Sequence, residues 1–301
     1  MRVLVTGAGG LVGESLCRAL TEDGHEVQRL VRREPSAPDE VQWDPQSGLS
    51  DPGSVRADAV VHLAGENIAE GRWSAAKKQR IRDSRVQGTR SLCESLVECA
   101  EPPKVIICAS AIGFYGHRGE SKLDEGAAAG VGFLPSTCVE WEAACEPARA
   151  AGARVVNLRI GVVLSKSGGA LTKMLLPFKL GLGGKIGGGS QYMSWITLTD
   201  LVRIIQHSLD DGSLEGPVNA VAPGAVTNLE FTKALGRALG RPTLFPLPAF
   251  MAKLALGEMA EDLLLASIRV TPSKLTESSF RFTHPELNAA LAAVLKGDDG
   301  R

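Results

Sequence analysis

Four glycines stand within residues 6–13, TGAGGLVG, between a short β-branched run and a stretch with the apolar spacing of a helix. Glycines at such a junction permit a tight turn, a close approach of backbone to a pyrophosphate, and close packing of helix on strand. The helix N-terminus then directs its amides at the phosphates. The motif predicts a dinucleotide-binding loop, and a glycine-rich surface turn is the alternative. The predicted contacts are Gly7, Gly10, Leu11, Val12 and Gly13.

The residues after the second predicted strand indicate which dinucleotide is bound. A carboxylate there would hydrogen-bond to the ribose 2′-hydroxyl of NAD, whereas an arginine accommodates the 2′-phosphate of NADP. The chain has Arg32 and Arg33 at this place, followed by Glu34. Because a guanidinium forms bidentate, charge-assisted bonds to phosphate, Arg32 is predicted to select NADP(H). Solvated loop arginines are the alternative.

These groups need a sheet to position them, and the first half of the chain alternates strand and helix signals. Strands separated by helices of this length predict a parallel sheet with right-handed crossovers, a Rossmann-type doubly wound α/β fold. The predicted strands are residues 2–6, 26–31, 59–63, 105–109 and 154–160, and the predicted helices are 10–23, 74–99, 134–150, 171–182, 199–209 with Thr199 as N-cap, 249–268 and 287–295.

The character of the sequence changes near residue 165, where a long glycine-rich passage begins. Such a passage after the core strands is typical of a lid or a loop of a substrate lobe. We therefore expect an NADP(H)-binding Rossmann domain over residues 1–165. Residues 166–301 are expected to combine returning Rossmann elements with a smaller C-terminal substrate lobe, and the tail 297–301 to be disordered.

Composition narrows the classes of partner. The 301 residues are 44% hydrophobic and 22% charged, with a net charge of −1, so nothing favours nucleic acid or a membrane surface. No apolar run reaches the roughly 18–20 residues of a membrane span, and the N-terminus is unlike a signal peptide. The six cysteines lack metal-ligand spacing, which predicts reduced thiols, a cytoplasmic protein and no metal site. The expected partner is a small molecule, and a monomer or homodimer is expected.

Several motifs resemble those of one enzyme superfamily. TGAGGLVG, DAVVHLAG (58–65) and SAIGFYG (110–116) are similar to the extended short-chain dehydrogenase/reductases, which include sugar-nucleotide epimerases and dehydratases. GENIAEGRWSAAKKQRIRDSRVQGT (65–89), LPFKLGLGGKIGGGSQYMSWI (176–196) and FRFTHPELNAAL (280–291) resemble the atypical "epimerase family protein" branch. The resemblance implies an extended fold of that type and a C-terminal domain of unknown function over about 245–296.

Further cofactor contacts follow from the strand ends and from the resemblance. In a Rossmann sheet the segment after the third predicted strand lies beside the cofactor. The helix 74–99 is strongly cationic, either as a solvated face or with one or two arginines turned towards the adenosine or an anionic substrate. The residues assigned to these contacts are Leu63, Ala64, Gly65, Arg80, Arg85 and Val163.

The superfamily's acid/base pair is absent from this chain. That pair is a tyrosine with a lysine four residues later, whose charge lowers the tyrosine pKa. Only two tyrosines occur, Tyr115 and Tyr192, and the residues four positions on are Gly119 and Ile196. Where the pair should lie the chain reads FLPST (133–137), which holds no base for neutral pH.

Substitutes for the missing pair come from the active face of the sheet. The superfamily's catalytic Ser/Thr position falls on Ala111, with Ser110 one residue away. Ser110, Tyr115 and Glu66 are the catalytic candidates, with loop packing or helix capping as alternative roles. His117 is a further candidate because imidazole transfers protons near pH 7, although a lone loop histidine is often only solvated.

Two functions of different class remain open. One is an NADP(H)-dependent oxidoreductase or nucleotide-sugar epimerase-like enzyme, with nucleotide-linked compounds among the candidate substrates. The other is a non-catalytic, NADPH-binding regulatory or scaffold protein. An ordered polar set in a pocket favours the enzyme, whereas a site walled off by Phe133, Leu134 and Pro135 favours the sensor.

Overall fold

The computed structural model describes residues 1–297, which build one eight-stranded sheet with helices on both faces. The strands are β1 (Arg2–Thr6), β2 (Glu26–Val31), β3 (Glu40–Asp44), β4 (Gly48–Leu49), β5 (Ala59–His62), β6 (Val105–Ala111), β7 (Lys122–Leu123), β8 (Arg154–Ile160), β9 (Val162–Leu164), β10 (Tyr192–Met193), β11 (Trp195–Thr197), β12 (Gly216–Ala220), β13 (Val226–Thr227) and β14 (Arg269–Val270). The helices are α1 (Leu11–Glu22), α2 (Ala75–Val97), α3 (Phe133–Ala143), α4 (Glu146–Ala150), α5 (Gly169–Lys179), α6 (Leu198–Asp210), α7 (Asn228–Leu239), α8 (Ala249–Leu256), α9 (Glu258–Ala260), α10 (Ser273–Glu277) and α11 (Leu287–Lys296), and a π-helical turn follows α9 at Glu261–Leu265.

The main sheet has the order β12-β8-β6-β5-β1-β2-β3-β4. Its neighbours are parallel except at one edge, where β4 runs antiparallel to β3. The chain winds outward from β1 in both directions, so the predicted doubly wound Rossmann-type fold is confirmed. The winding reverses between β1 and β5, and in such sheets ligands bind beyond the carboxyl ends of the strands at this point.

Alternation along β1 divides the core into two layers. Val3 and Val5 pack with Leu16 and Leu20 of α1 on one face of the sheet, whereas Leu4 packs on the other face. Successive side chains of a strand point to opposite faces, so a strand buried on both sides reads as a continuous apolar run. This is why the VLV run of β1 is apolar throughout.

A smaller lobe covers the carboxyl ends of the strands. Its short pairs are β9 with β11, β10 with β13, and β7 with β14. The fully buried carboxylate of Asp200, on α6, accepts the amides of Thr283 at 2.7 Å and His284 at 2.9 Å. These two hydrogen bonds hold the segment FRFTHPELNAAL (residues 280–291) against α6.

Two predicted helices are divided in the structure. The expected helix 134–150 is α3 and α4, because Pro147 occupies the first turn of α4 and cannot donate to the preceding turn. The expected helix 249–268 ends at Leu256, where Gly257 has φ of +62°, and resumes as α9 and the π-helical turn. The prediction of single helices was wrong at both places.

Three strands of the main sheet, β3, β4 and β12, were missed, and one cap was assigned wrongly. The turn-rich appearance of residues 43–55 concealed β3, and β12 was not predicted. Thr199 is not the N-cap of α6, since the side chain of Thr197 accepts the amide of Asp200.

Within residues 1–297, no helix combines the length and the apolar character that crossing a membrane requires. All six cysteines are free thiols and five of them are buried. Of the tail predicted to be disordered, residues 298–301 lie outside the described residues.

Candidate active site

The glycine loop joins β1 to α1 and is packed tightly on its inner side. Gly7 has φ of +68°, and a Cβ there would stand 3.0 Å from the amide nitrogen of Ala64. A Cβ on Gly13 would collide with the carbonyl oxygen of Gly7. By contrast, a Cβ on Gly9 would meet no atom within 4 Å. The outer side is therefore open, as a backbone cradle for phosphate requires.

The start of α1 faces this open side. The amide of Gly10 donates to the Gly7 carbonyl at 2.9 Å, and Glu14 makes the first intrahelical bond, to Gly10, at 2.9 Å. The amides of Leu11 and Val12 precede that bond, and the first amides of a helix lack intrahelical acceptors. They therefore present donors and the positive end of the helix dipole to the crevice.

The segment after β5 forms the opposite wall. The Thr6 hydroxyl oxygen accepts the amides of Leu63 at 3.0 Å and Ala64 at 3.1 Å, and lies 2.7 Å from Nδ1 of His62. Because that oxygen already accepts two N–H groups, its own proton goes to Nδ1, and the neutral ring carries its proton on Nε2. Nε2 donates to Thr89 Oγ1 at 3.0 Å. Burial lowers the pKa of His62 to about 4, in agreement with a neutral ring.

The two arginines after β2 have different surroundings. Arg33 donates to both carboxylate oxygens of Glu40, at 2.9 and 2.7 Å, and to the carbonyl of Glu34. Hydrogen bonding to Arg33, followed by the amide of Ser36, lowers the pKa of Glu40 to about 2. Arg32 is exposed and has no hydrogen bond or ion pair within residues 1–297. Arg32 is thus available to an anion, whereas Arg33 is already neutralised.

Glu66 follows the opposite wall and is held by cations. Its carboxylate lies 2.7 Å from Lys77 Nζ and 3.5 Å from Arg80 Nε. Hydrogen bonding to Lys77 lowers the pKa of Glu66, so the group is ionised and already paired with cations, and its catalytic role stays a prediction. Arg85 donates to the Glu66 carbonyl at 3.1 Å and covers Gly65. These contacts support the wall from the side of α2.

The other two catalytic candidates belong to a buried polar cluster. Ser110 Oγ donates to Glu142 at 2.7 Å, and Arg159 binds the same carboxylate through Nε at 2.8 Å and Nη2 at 2.9 Å. Tyr115 has no exposed surface, donates to Asn219 at 2.7 Å and accepts from Arg159 at 3.0 Å. Burial raises the pKa of Tyr115. The geometry favours structural roles for Ser110 and Tyr115.

Glu142 and Arg159 were not among the site residues predicted from the sequence. The available signal was Arg159 itself, a cation within the apolar strand RVVNLRI. A charge in a strand buried on both faces requires a buried partner, and the partner is Glu142 on α3.

Val163, in β9, lies behind the start of α5. A Cβ on Gly169 would stand 3.8 Å from the Val163 carbonyl oxygen and 3.4 Å from Leu11 Cδ2. The β9–α5 junction therefore closes one end of the crevice at the first residue of α1. Among residues 1–297, no group of three or more His, Cys, Asp or Glu side chains is arranged to hold a metal.

A cavity of about 330 Å³ lies between the segment after β6 and the C-terminal lobe. Leu134 and Pro135, from the stretch where the Tyr/Lys pair should stand, form part of its wall. The cavity is lined by Gly113, Gly116, His117, Val131, Leu134, Pro135, Lys253, Glu261, Asp262, Leu265, Ala266 and Ile268. Leu134 and Pro135 thus line this cavity, while Phe133 packs edge-on against Trp73.

The sheet order and the glycine loop define a Rossmann-type α/β protein, and sequence comparison identifies its family. Residues 3–220 match the NAD dependent epimerase/dehydratase family, and residues 247–294 match a domain of unknown function, DUF1731. The chain belongs to this epimerase/dehydratase family. The predicted resemblance is confirmed.

Individual relatives are similar over nearly the whole chain. Epimerase family protein Mb2239 of Mycobacterium bovis is 46% identical over 96% of both chains. The crystal structure of human epimerase family protein SDR39U1 with NADPH superimposes with a TM-score of 0.90 at 35% identity, covering 99% of this chain and 100% of that one. A nucleoside-diphosphate sugar epimerase from Corynebacterium glutamicum gives a TM-score of 0.82 at 39% identity, covering 98% of this chain and 58% of that one.

Proposed function

We propose that the protein binds NADP(H) in the crevice beside the glycine loop and acts as an oxidoreductase or epimerase-like enzyme on a small molecule. The observation that carries the choice of cofactor is Arg32, an exposed guanidinium at the end of β2 that has no hydrogen bond or ion pair within the described residues 1–297. The NADPH bound to human SDR39U1 supports the same choice.

The residues fit the dinucleotide as follows. The amides of Leu11 and Val12 hold the pyrophosphate, Gly10 lets it approach the backbone without a side chain in the way, and Gly13 lets α1 pack closely behind them. Arg32 binds the 2′-phosphate, and the segment Leu63–Ala64–Gly65 with Val163 flanks the crevice. A bound nicotinamide supplies hydride transfer, while the protein binds and orients it.

Calorimetric titration tests this assignment. NADPH should bind at least about tenfold more tightly than NADH, because one charge-assisted phosphate contact contributes roughly 1.5–3 kcal/mol. Arg32→Ala should remove the difference, whereas Arg18→Ala, which removes a comparably exposed arginine of α1, should keep it. Gly10→Glu should abolish binding of both dinucleotides by placing a carboxylate at the pyrophosphate. Equal affinities of the wild type for NADPH and NADH would contradict the proposal.

The cavity supports turnover on a small molecule. It adjoins the segment that follows the carboxyl end of β6, and its wall carries ionisable side chains from both lobes, among them His117 and Asp262. Ligand pockets commonly begin near this size, at roughly 300 Å³. A cavity with ionisable side chains in its wall favours an enzyme.

One observation favours the alternative, a non-catalytic NADPH-binding regulatory protein. Glu66, Ser110 and Tyr115 are all engaged in internal bonds, so the candidates nearest to the superfamily's catalytic positions are occupied. NADPH oxidation by carbonyl compounds separates the two functions. A protein that binds NADPH tightly and turns over no carbonyl or hydroxyl compound is the sensor.

A further inference from the structure

Helix α8 leaves most of its apolar surface uncovered. Its sequence is AFMAKLAL, and Ala252 is the one residue of the eight that is buried in the described chain. Phe250 and Leu254, one helical turn apart, are 69% and 75% exposed, and Met251 beside them is also exposed. A surface helix ordinarily turns its apolar stripe towards the core. The stripe of α8 is turned towards solvent.

The segment that enters α8 is joined to the glycine-rich passage. The amide of Phe245 donates to the Gly183 carbonyl at 3.3 Å, and the amide of Leu247 donates to the Lys185 carbonyl at 2.9 Å. These backbone bonds lay the two segments side by side. The side chains of Leu244, Phe245 and Leu247 are exposed there.

The end of α5 extends the same surface. Leu176 and Leu180 are four residues apart, so they share one face of the helix end, and both are exposed. Leu182, also exposed, directly precedes Gly183 and so leads to the bond with Phe245. The nine exposed leucine, phenylalanine and methionine side chains of α5, the entry to α8 and α8 itself form the apolar patch.

The size of the apolar patch indicates an interface. Its nine side chains are between 38% and 75% exposed. They amount to on the order of 1,000 Å², taking about 150–250 Å² for one large side chain. The largest apolar patch of a monomeric protein is commonly about 300–600 Å², whereas each partner in a stable interface buries about 800 Å². The apolar patch exceeds the first value and is sufficient for the second.

The charges around the apolar patch favour a second copy of the chain as its partner. In a two-fold contact the same residues face one another, so an unpaired charge would meet its like. Lys253 on α8 is paired with Glu261 at 2.7 Å, and Glu258, directly after α8, is paired with Lys78 at 2.7 Å. Lys179 adjoins the patch, and its long stem lets the ammonium group reach water. A surface with these charges already paired can meet itself without repulsion.

The same charges disfavour an anionic lipid surface. Helices that lie on such lipids carry lysines and arginines along their polar face. α8 has a single lysine, Lys253, and that lysine is engaged with Glu261. Three carboxylates follow within six residues of the helix end, at Glu258, Glu261 and Asp262.

We propose that the apolar patch is the contact between two copies of this chain related by a two-fold axis. Association removes the exposed leucine and phenylalanine side chains of both copies from water, which is the dominant favourable contribution to such contacts. Lys253, a wall residue of the 330 Å³ cavity, lies on the same helix as Phe250 and Leu254. The interface and the cavity therefore share α8.

Sedimentation velocity of the full chain tests the contact. The wild type should sediment with twice the mass of the chain. Phe250→Asp combined with Leu254→Asp should raise the dimer Kd at least about 30-fold, the usual effect of losing one central contact. Both side chains are exposed, so the double variant should keep the circular dichroism spectrum of the wild type. Val139→Asp, which changes a 43% exposed valine of α3, is the matched control and should remain a dimer.

Hydrogen exchange tests the same surface without any variant. Amides of residues 176–182 and 244–256 should gain protection as the concentration of the wild type rises, because the dimer covers them. Amides of α3, residues 133–143, should exchange at the same rate at every concentration. Concentration-dependent protection in α3 and not in the other two segments would place the contact elsewhere and overturn the proposal.

The sedimentation results are decisive in both directions. A wild type that is monomeric throughout, a dimer that survives the double substitution, or a dimer that Val139→Asp alone dissociates would each overturn the proposal. So would a monomer that binds vesicles of phosphatidylcholine and phosphatidylglycerol through Phe250 and Leu254. NADPH titration reports separately on the cofactor crevice, where the double variant should match the wild type. Failure of the wild type to bind NADPH would count against the proposed function and leave the dimer result standing.

Discussion

Arg33 and Glu40 form a two-point ion pair, with Nη1 and Nη2 at 2.9 and 2.7 Å from the two carboxylate oxygens. The Glu40 side chain is almost wholly buried, and it also accepts the amide of Ser36. The pair withdraws one of two adjacent guanidinium groups from the crevice. Under the proposed function, selection of the phosphorylated dinucleotide would then depend on Arg32 rather than on Arg33.

A double variant tests this division of roles. Arg32→Ala should bind NADPH and NADH with equal affinity, and adding Glu40→Gln should restore part of the preference, because a released Arg33 can reach the phosphate. Glu34→Gln in the same Arg32→Ala background removes a neighbouring carboxylate that does not bind Arg33 through its side chain, and should restore nothing. Calorimetry on the six dinucleotide–variant pairs, three variants with NADPH and with NADH, gives the result. Failure of Glu40→Gln to recover any selectivity would show that Arg33 lies out of reach.

The buried histidine predicts a defined pH dependence of stability. The pKa of His62 is about 4 in the folded state against 6.5 for the unperturbed group. Because the folded pKa is lower, only the unfolded chain takes up this proton between those values, and stability falls as pH drops from 6.5 to 4. The loss should be roughly 3 kcal/mol, at about 1.4 kcal/mol per unit.

Urea unfolding of the wild type and of His62→Gln at pH 7, 5.5 and 4.5 measures this effect. Taking the difference between the two proteins cancels the carboxylates and the other histidines. A difference in unfolding free energy that stays constant with pH would mean that His62 is protonated in the folded state.

Two glycine substitutions separate packing from open space. Gly13→Ala should destabilise the protein by about 1–3 kcal/mol, because its Cβ has no room beside the Gly7 carbonyl. Gly9→Ala should unfold like the wild type within about 0.5 kcal/mol, since nothing lies within 4 Å of the added carbon. Thermal and urea unfolding of both variants check the pair. Equal stability of the two would contradict the described loop geometry.

The buried cluster around Arg159 predicts a stability effect without a binding effect. Glu142→Gln leaves the Arg159 guanidinium without its counter-ion, and breaking a buried pair in this way costs about 3–5 kcal/mol. Tyr115→Phe removes a single hydrogen bond to Asn219 and should cost about 1 kcal/mol. Neither change should alter the Kd for NADPH. A large fall in NADPH affinity at unchanged stability would indicate instead that Tyr115 takes part in the active site.

Local sequence patterns were sufficient to predict the central strands of the main sheet. Predicted strands 2–6, 26–31 and 154–160 match β1, β2 and β8 residue for residue. β1 and β8 are largely buried and mainly apolar, whereas β2 (EVQRLV) is only partly buried and was found from its β-branched and alternating residues. β3 and β12 were missed since EVQWD is half polar and GPVNA begins with glycine and proline. Such segments become strands through their neighbours in the sheet rather than through their own composition.

The candidate site likewise has a part that the sequence predicts and a part that it does not. The glycine loop is a contiguous motif whose geometry follows from residue type, so its position was predictable. The bond from Ser267 to His117 joins residues 150 apart, and the contact of Ser110 with Glu142 spans 32. Only the packed chain brings such groups together, which is why no spacing rule indicated them.

Two consecutive residues of α2 form ion pairs in different parts of the molecule. Lys77 holds Glu66 at the wall of the dinucleotide crevice, while Lys78 holds Glu258 beside the cavity of the C-terminal lobe. One turn of α2 therefore contacts both the wall of the dinucleotide crevice and the C-terminal lobe. If binding at one site displaces this turn, the two ligands would change each other's affinity, and by the same factor in both directions.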